Sequence, residues 1–147
     1  MTVKEYLNQG YRLEQRIGLL QDEIQELRQM SVSISSPGFG EHHNPNRSTS
    51  APYERLVIKI MELEEQSARQ LEKLIHYKEE LKQVIHGLED KDERMVLYYR
   101  YICNKTWSSI ADTLFADERT VRRWHNRAID HVTIPDNPTI IDDHLLK

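Results

Sequence analysis

Apolar residues recur near the start of the chain at alternating steps of four and three: Leu13, Ile17, Leu20, Ile24 and Leu27, with Tyr6 in phase one heptad earlier. Such spacing puts them on one face of a helix and predicts a helix over residues 2–30. Ile at one seam position and Leu at the other is the alternation of a short coiled coil. Gly10 is a gap in the stripe, and Gly10 and Gly18 each weaken a helix by about 1 kcal/mol relative to Ala. A helix of this kind needs a partner. A second apolar rhythm runs over residues 53–86. Tyr53, Leu56, Ile60 and Leu63 keep the step, and Ser67 takes the next seam position. Leu71, Leu74, Leu81, Ile85 and Leu88 resume after a slip of four, a stutter that locally unwinds a supercoil. The remaining faces carry Glu62, Glu64, Glu65, Lys73, Lys78, Glu79 and Lys82. A helix of this length makes a rod of roughly 50 Å. Gly87 stands where a helix end favours glycine.

Between these helices, residues 31–52 lose the rhythm and become rich in Ser, Pro and Gly, a composition too polar to offset its ordering entropy, so a flexible loop is expected. Val32, Ile34 and Phe39 are candidates for local docking. His42 and His43 are adjacent and lack further ligands nearby, so they read as solvated. Two arrangements satisfy both stripes, an antiparallel hairpin within one chain or pairing across a dimer. Each stripe is wider than a single seam, and a hairpin that also dimerises is the expectation.

After Gly87 the pattern shortens. Asp90 is a candidate N-cap with Glu93 in the capping-box position. Met95, Val96, Tyr98, Tyr99 and Ile102 supply a compact apolar face, with Cys103 a small core residue beside it, and Asn104-Lys105 breaks it. Thr106 is a second N-cap candidate, opening a helix through Trp107, Ile110, Ala111 and Leu114. Asp117 is a third, expected to satisfy the free N–H groups of a helix through Val121, Trp124, Ala128 and Ile129. Small Ala111 permits a close crossing, and Ile110, Leu114, Val121 and Trp124 form the wedge that sets its angle. Phe115 occupies the turn position that glycine usually takes, so the turn must avoid a left-handed residue or tolerate strain. The outward stripe of the last helix is Arg119, Arg122, Arg123 and Asn126, at spacing i, i+3, i+4, i+7.

Composition narrows the class. The 147 residues are 38% hydrophobic and 30% charged with few Gly and Pro, which disfavours sandwiches, barrels and nucleotide-binding α/β sheets and favours an all-α fold. The single Cys excludes an intramolecular disulfide and a thiolate metal cage. With no membrane-length apolar run and no signal-like start, the expected location is the cytoplasm, a reducing compartment. Net charge is −4, which argues against a general nucleic-acid coat, and no large segment is basic on average. Yet residues 119–127 hold four Arg and no acid. No Gly-rich phosphate loop and no metal-spaced His/Cys/carboxylate cluster occurs, and Glu64-Glu65 and Glu79-Glu80 are adjacent pairs on a charged helix face, so an enzyme, a cofactor and a small-molecule substrate are not expected.

The run from Leu88 to Tyr101, then Thr106-Trp-Ser-Ser-Ile-Ala-Asp-Thr-Leu, then Asp117-Glu-Arg-Thr-Val-Arg-Arg-Trp-His-Asn-Arg-Ala-Ile resembles region four of bacterial sigma factors, as adapted in the RinA/ArpU-type late transcriptional regulators of Gram-positive phages. The resemblance covers about 44 residues. It implies a long helical hairpin or coiled coil (residues 1–87), a helix-turn-helix DNA-binding domain (88–131) and a tail (132–147), together a sequence-specific phage or prophage late-gene activator. The recognition helix would enter the major groove, with Glu118, Arg119, Arg122 and Arg123 at positions that read bases or phosphates in that family. Arg122 is the residue expected to carry discrimination. Asn126 shares its face, Arg127 is expected to touch phosphate, and Thr106 and Ser108 to hold phosphates and set register. Implied partners are double-stranded DNA, a second copy of the chain and host RNA polymerase. The upstream promoter-melting regions of sigma factors are absent, so a complete sigma factor is not expected.

Two other readings fit the same residues. Phage small terminase subunits also join a helix-turn-helix to a helical oligomerisation part and recognise packaging-site DNA. A protein-interaction module would use the motif only as a scaffold. The tail holds Ile140, Ile141, Leu145 and Leu146 and is expected to form a short helix that docks on the core or on a partner.

Overall fold

A computed structural model describes residues 1–35 and 50–141, and among them every regular element is helical. Helix α1 is Val3–Ser35 and α2 is Ser50–His86. Short helices follow: α3 (Lys91–Leu97), a π-helical turn (Tyr98–Ile102), α4 (Trp107–Leu114) and α5 (Glu118–His131). The fold is all-α. Both long helices outrun their expected limits, because Met30–Ser35 and Ser50–Pro52 continue the adjoining helices into the stretch expected to be loop. The remainder of that loop, with Phe39, His42 and His43, lies outside the described residues, as do Leu145 and Leu146.

Contacts divide the chain into two compact units, residues 15–71 and residues 1–14 with 72–147, so the expected boundary at Gly87 is not where packing changes. In the first unit Leu20 and Ile24 of α1 pack with Ile60 and Leu63 of α2, with Leu27 and Leu56 against them. This is the helical hairpin, with Arg28 bonded to Glu64 across it. The seam differs from expectation after Ser67: Gln70 is buried at 1% exposure whereas Leu71 is exposed. The four-three rhythm thus continues unbroken through Gln70, Leu74 and Tyr77. The double step of four falls later, at Tyr77, Leu81 and Ile85, all buried. Counting only aliphatic residues hid a glutamine and a tyrosine in the seam.

In the second unit Tyr77 is fully buried, and its hydroxyl donates to the backbone carbonyls of Tyr6 (2.8 Å) and Leu7 (3.0 Å). Its ring meets Tyr6 edge-on and lies over Gly10, where a Cβ would stand 2.6 Å from Tyr77 Cε1. Gly10 is therefore no gap in the stripe but the space that the tyrosine fills. Lys78 donates to the Ile102 carbonyl at 2.9 Å and pairs with Glu14, which Asn104 also bonds, so the start of α1, the end of α2 and the π turn are tied together. The described part of the tail, residues 132–141, joins them and is not helical: Gln9 donates to the Thr139 carbonyl (3.1 Å) and accepts from the Ile141 N–H (2.8 Å), and Glu80 accepts from the Thr139 N–H.

The short helices form the rest of this unit. Val96, Ile110, Ala111 and Val121 make a buried cluster, flanked by Tyr99, Trp107, Leu114, Ala116 and Trp124. Asp90 caps α3 by accepting from the Asp92 and Glu93 N–H groups, and Thr106 caps α4 by accepting from the Ser109 N–H. Asp117 stands at the N-cap of α5 with extended backbone, but its side chain makes no cap bond. Phe115 takes the strained option, with φ 53° and ψ 44°. The Ala116 N–H then bonds the Ala111 carbonyl (3.0 Å) and the Phe115 N–H the Asp112 carbonyl (3.4 Å), the paired bonds by which a helix closes on a left-handed residue. Its ring is 97% exposed.

Three substitutions test these backbone arguments. Gly10→Ala is expected to lower stability by about 1–2 kcal/mol, since overpacking against a pinned ring outweighs the gain in helix propensity. Gly18→Ala, with nothing within 4 Å of its added methyl, is expected to raise stability by roughly 0.5–1 kcal/mol. Chemical denaturation of both variants checks the contrast; equal effects would remove the role of Tyr77. Phe115→Gly loses almost no packing and relieves a left-handed residue, so a gain of about 0.5–1 kcal/mol is expected by thermal melting.

Candidate nucleic-acid interface

The amphipathic division of α5 sets its exposed chemistry. Val121, His125 and Ala128 are buried at steps of four and three, and that leaves Arg119, Arg122, Arg123, Asn126 and Arg127 on the outer arc. His125, not Trp124, holds the central inward position. A polar residue in an otherwise apolar stripe was passed over, though its spacing from Val121 and Ala128 marked it.

His125 is a joint between elements. Its Nε2 lies 2.6 Å from the Tyr101 hydroxyl of the π turn, and its ring stands edge-on to Trp107 of α4 at 4.7 Å. Burial pushes the imidazole down to about 4, with the positive charges of Arg100, Lys4 and Arg122 adding to the effect against a raising bond from Asn126. Burial pushes the Tyr101 hydroxyl up. At neutral pH the phenol keeps its proton and the imidazole is neutral, and one short hydrogen bond joins the Tyr101 oxygen to His125 Nε2.

The arginines of α5 fall into three settings. Arg119 and Arg123 are exposed, and neither forms an ion pair among the described residues. Arg122 is exposed and lies on the flank beside α4, paired with Glu118 at 3.0 Å and over the Trp107 ring at 5.2 Å. An exposed pair of this kind contributes roughly 0–1 kcal/mol and gives way to a stronger anion. Arg127 departs from the expected phosphate contact. Its Nε donates to Glu93 at 3.0 Å and its Nη2 lies 3.4 Å from Asp90. Glu93 is buried, so it does not complete a capping box. A carboxylate out of water needs cationic partners, and it takes Arg127 and His131 Nδ1 (2.9 Å). The bond from Glu93, with its charge, holds His131 above the usual histidine range. Arg127 is thereby a tie between α5 and α3.

The other expected contacts sit near the start of α4. Thr106 and Ser108 are exposed, Thr106 with its hydroxyl engaged in the cap and Ser108 on the first turn. Glu118 is exposed at the start of α5. Cys103, expected in the core, is exposed, because the π turn rotates it outward while burying Tyr101 and Ile102. Of the tyrosines around it, Tyr98 is exposed. Among the described residues no cluster of His, Cys, Asp or Glu is arranged to hold a metal ion, and no helix is long and apolar enough to cross a membrane.

The two histidines act oppositely on pH. His125 has a depressed folded value, so its contribution is full above about pH 6.5 and is lost as pH falls towards 4; that of His131, with a raised value, is full below about 6.5 and lost as pH rises through the raised value. The melting-temperature advantage of the native chain over a His125→Gln variant is expected to shrink from pH 6.5 to pH 4, by no more than about 3 kcal/mol in stability. An advantage independent of pH would mean that His125 is not held neutral.

No curated protein and no solved structure matches the chain. A family model described as a protein of unknown function, DUF722, matches residues 5–133, which takes in all five helices and the π turn. The chain belongs to the DUF722 family.

Proposed function

We propose that this protein is a sequence-specific double-stranded-DNA-binding regulator of transcription, with α4 and α5 as a helix-turn-helix and α5 lying in the major groove. The single observation that carries the reading is the outer face of α5: Arg119, Arg123 and Asn126 stand exposed on a helix whose other face is locked by Val121, His125 and Ala128. Arg presents a fork that matches guanine O6 and N7, and Asn one that matches adenine N6 and N7. Arg122 and Glu118 flank this face, and Thr106 and Ser108 lie where the first helix would meet the sugar–phosphate backbone. Arg127 belongs to the scaffold in this reading.

The remainder of the chain fits a late-gene regulator of phage or prophage type acting in bacterial cytoplasm. The net charge of −4 suppresses indiscriminate phosphate binding and leaves affinity to the local cationic face. A single small module binds weakly, and a dimer doubles the footprint and gives a repeated or palindromic site. Exposed Ile58 and Met61 on α2, beside Glu62 and Glu65, offer a surface for a second copy. Host RNA polymerase is the partner an activator would recruit.

The test is selection from a random duplex pool, followed by titration of the selected and a scrambled duplex. Native protein is expected to prefer the selected duplex with an affinity that falls with salt. Arg123→Ala is expected to cost about 1–3 kcal/mol on the selected duplex and much less on the scrambled one. No salt-dependent binding to any duplex would overturn the reading in favour of a protein-interaction module. Light scattering separates a dimeric regulator from a packaging protein, for which a ring of about eight or more subunits is expected.

A further inference from the structure

A group of cations gathers ahead of α5, on the other side of α4's first turn. Arg100 lies in the π turn, with its guanidinium 4.4 Å from the centre of the Trp107 ring; Arg122 approaches the same ring from α5 at 5.2 Å. Lys105 lies over the Tyr99 ring at 4.7 Å, and Arg100 Nη1 donates to the Lys105 carbonyl at 3.0 Å. Among the described residues no carboxylate pairs with Arg100 or Lys105.

Aromatic rings hold these groups in place, at roughly 0.5–2 kcal/mol per contact; they leave the charges of Arg100 and Lys105 unpaired among the described residues, whereas Arg122 also pairs with Glu118. Bringing like charges together costs energy, and a chain with more acids than bases had carboxylates to spare. It used a carboxylate on Arg127, at the opposite flank of α5, and none on Arg100. Among the described residues one of the five Arg100 donors is engaged, the bond to the Lys105 carbonyl. A π turn adds one residue to the helical circuit, a distortion common at functional positions, and this one sets Arg100 beside the first turn of α4.

We infer that Arg100, with Lys105 beside it, binds a phosphate of the DNA strand that borders the groove occupied by α5, and that Trp107 sets its spacing from Arg122. The inference rests on the function proposed above and extends the DNA-facing surface to residues ahead of the helix-turn-helix. Arg100 and Arg122 then share one indole but do different work, the first positioning the protein on the backbone and the second at the edge of the groove. The phosphate contact is independent of base sequence.

The experiment uses the full chain and a random-sequence duplex of about three helical turns, with affinity measured by fluorescence anisotropy between about 50 and 200 mM KCl. Arg100→Met keeps the packing on Trp107 and removes the charge; Arg100→Lys keeps the charge. The Met variant is expected to weaken binding about three- to tenfold at the low-salt end and to reduce the slope of log affinity against log salt by about 1. The Lys variant is expected to retain the native slope, and both to melt within a few degrees of the native chain. An unchanged slope in Arg100→Met, in a protein that binds duplex with normal salt dependence, overturns this inference and leaves the proposed function standing. Loss of slope in both variants assigns Arg100 a packing role and also overturns it. Native protein that binds no duplex removes the function and the inference together.

Discussion

The seating of His125 against Tyr101 and Trp107 is the constraint on which the candidate interface depends. It joins three successive elements: the π turn, the first turn of α4 and the middle of α5. A hydrogen bond between a neutral imidazole and a buried phenol is a directional contact, unlike the aliphatic packing of Val121 and Ala128 around it. It fixes the rotation of α5 about its own axis. Turning that helix by one residue would carry Arg122 into the core or Val121 into water. The outward direction of Arg119, Arg123 and Asn126 is thus a consequence of what lies beneath them.

The two flanks of α5 solve opposite electrostatic problems. At the α3 flank the buried carboxylate of Glu93 comes first, and Arg127 and His131 satisfy it. Removing either cation would leave a charge partly uncompensated away from water, a larger loss than any exposed ion pair supplies. At the α4 flank the cations come first: aromatic faces hold Arg100 and Lys105 without cancelling their charge, and Arg122 adds an exposed pair with Glu118 to its indole contact. Charge on the first flank is spent on structure, and on the second it stays available. Two adjacent arginines of similar exposure, Arg123 and Arg127, would look alike in a charge count and differ entirely in what a ligand can take from them.

Much of the architecture was legible because it follows period and capping. The two long helices, their hairpin, the caps at Asp90 and Thr106, and the Ile110–Ala111–Val121 cluster all follow from apolar spacing and from side chains that compete for helix-end N–H groups. What the pattern hid was polar or aromatic chemistry placed where an aliphatic residue was assumed. Gln70 and Tyr77 sit in a seam that was read through leucines, which displaced the stutter by more than two turns. Gly10 and Tyr77 are a pair across 67 positions, and neither residue alone announces the other. His125 is a polar residue at an inward position, and its partner Tyr101 lies 24 residues away. Glu93 had the spacing of a capping box, and only the approach of α5 shows why it turns inward. Long-range pairing, not local propensity, decided each of these.

Phe115 extends that lesson to the turn. A residue in the left-handed region normally signals glycine, since a Cβ there costs roughly 1–2 kcal/mol. The chain accepts that cost and also leaves the ring almost wholly in water, forgoing the burial that would offset it. The turn nevertheless closes with two good backbone bonds, and they hold Ala116 and Asp117 so that α5 begins on time. The close crossing at Ala111 leaves no room for a longer connection, so the turn must reverse within three residues. Under that restriction backbone geometry is set by the packing of α4 on α5, and the identity of the turn residue is free to vary at a modest cost in stability. The seating of α4 on α5 is therefore a property of the core cluster of Ile110, Ala111 and Val121 rather than of the turn residue.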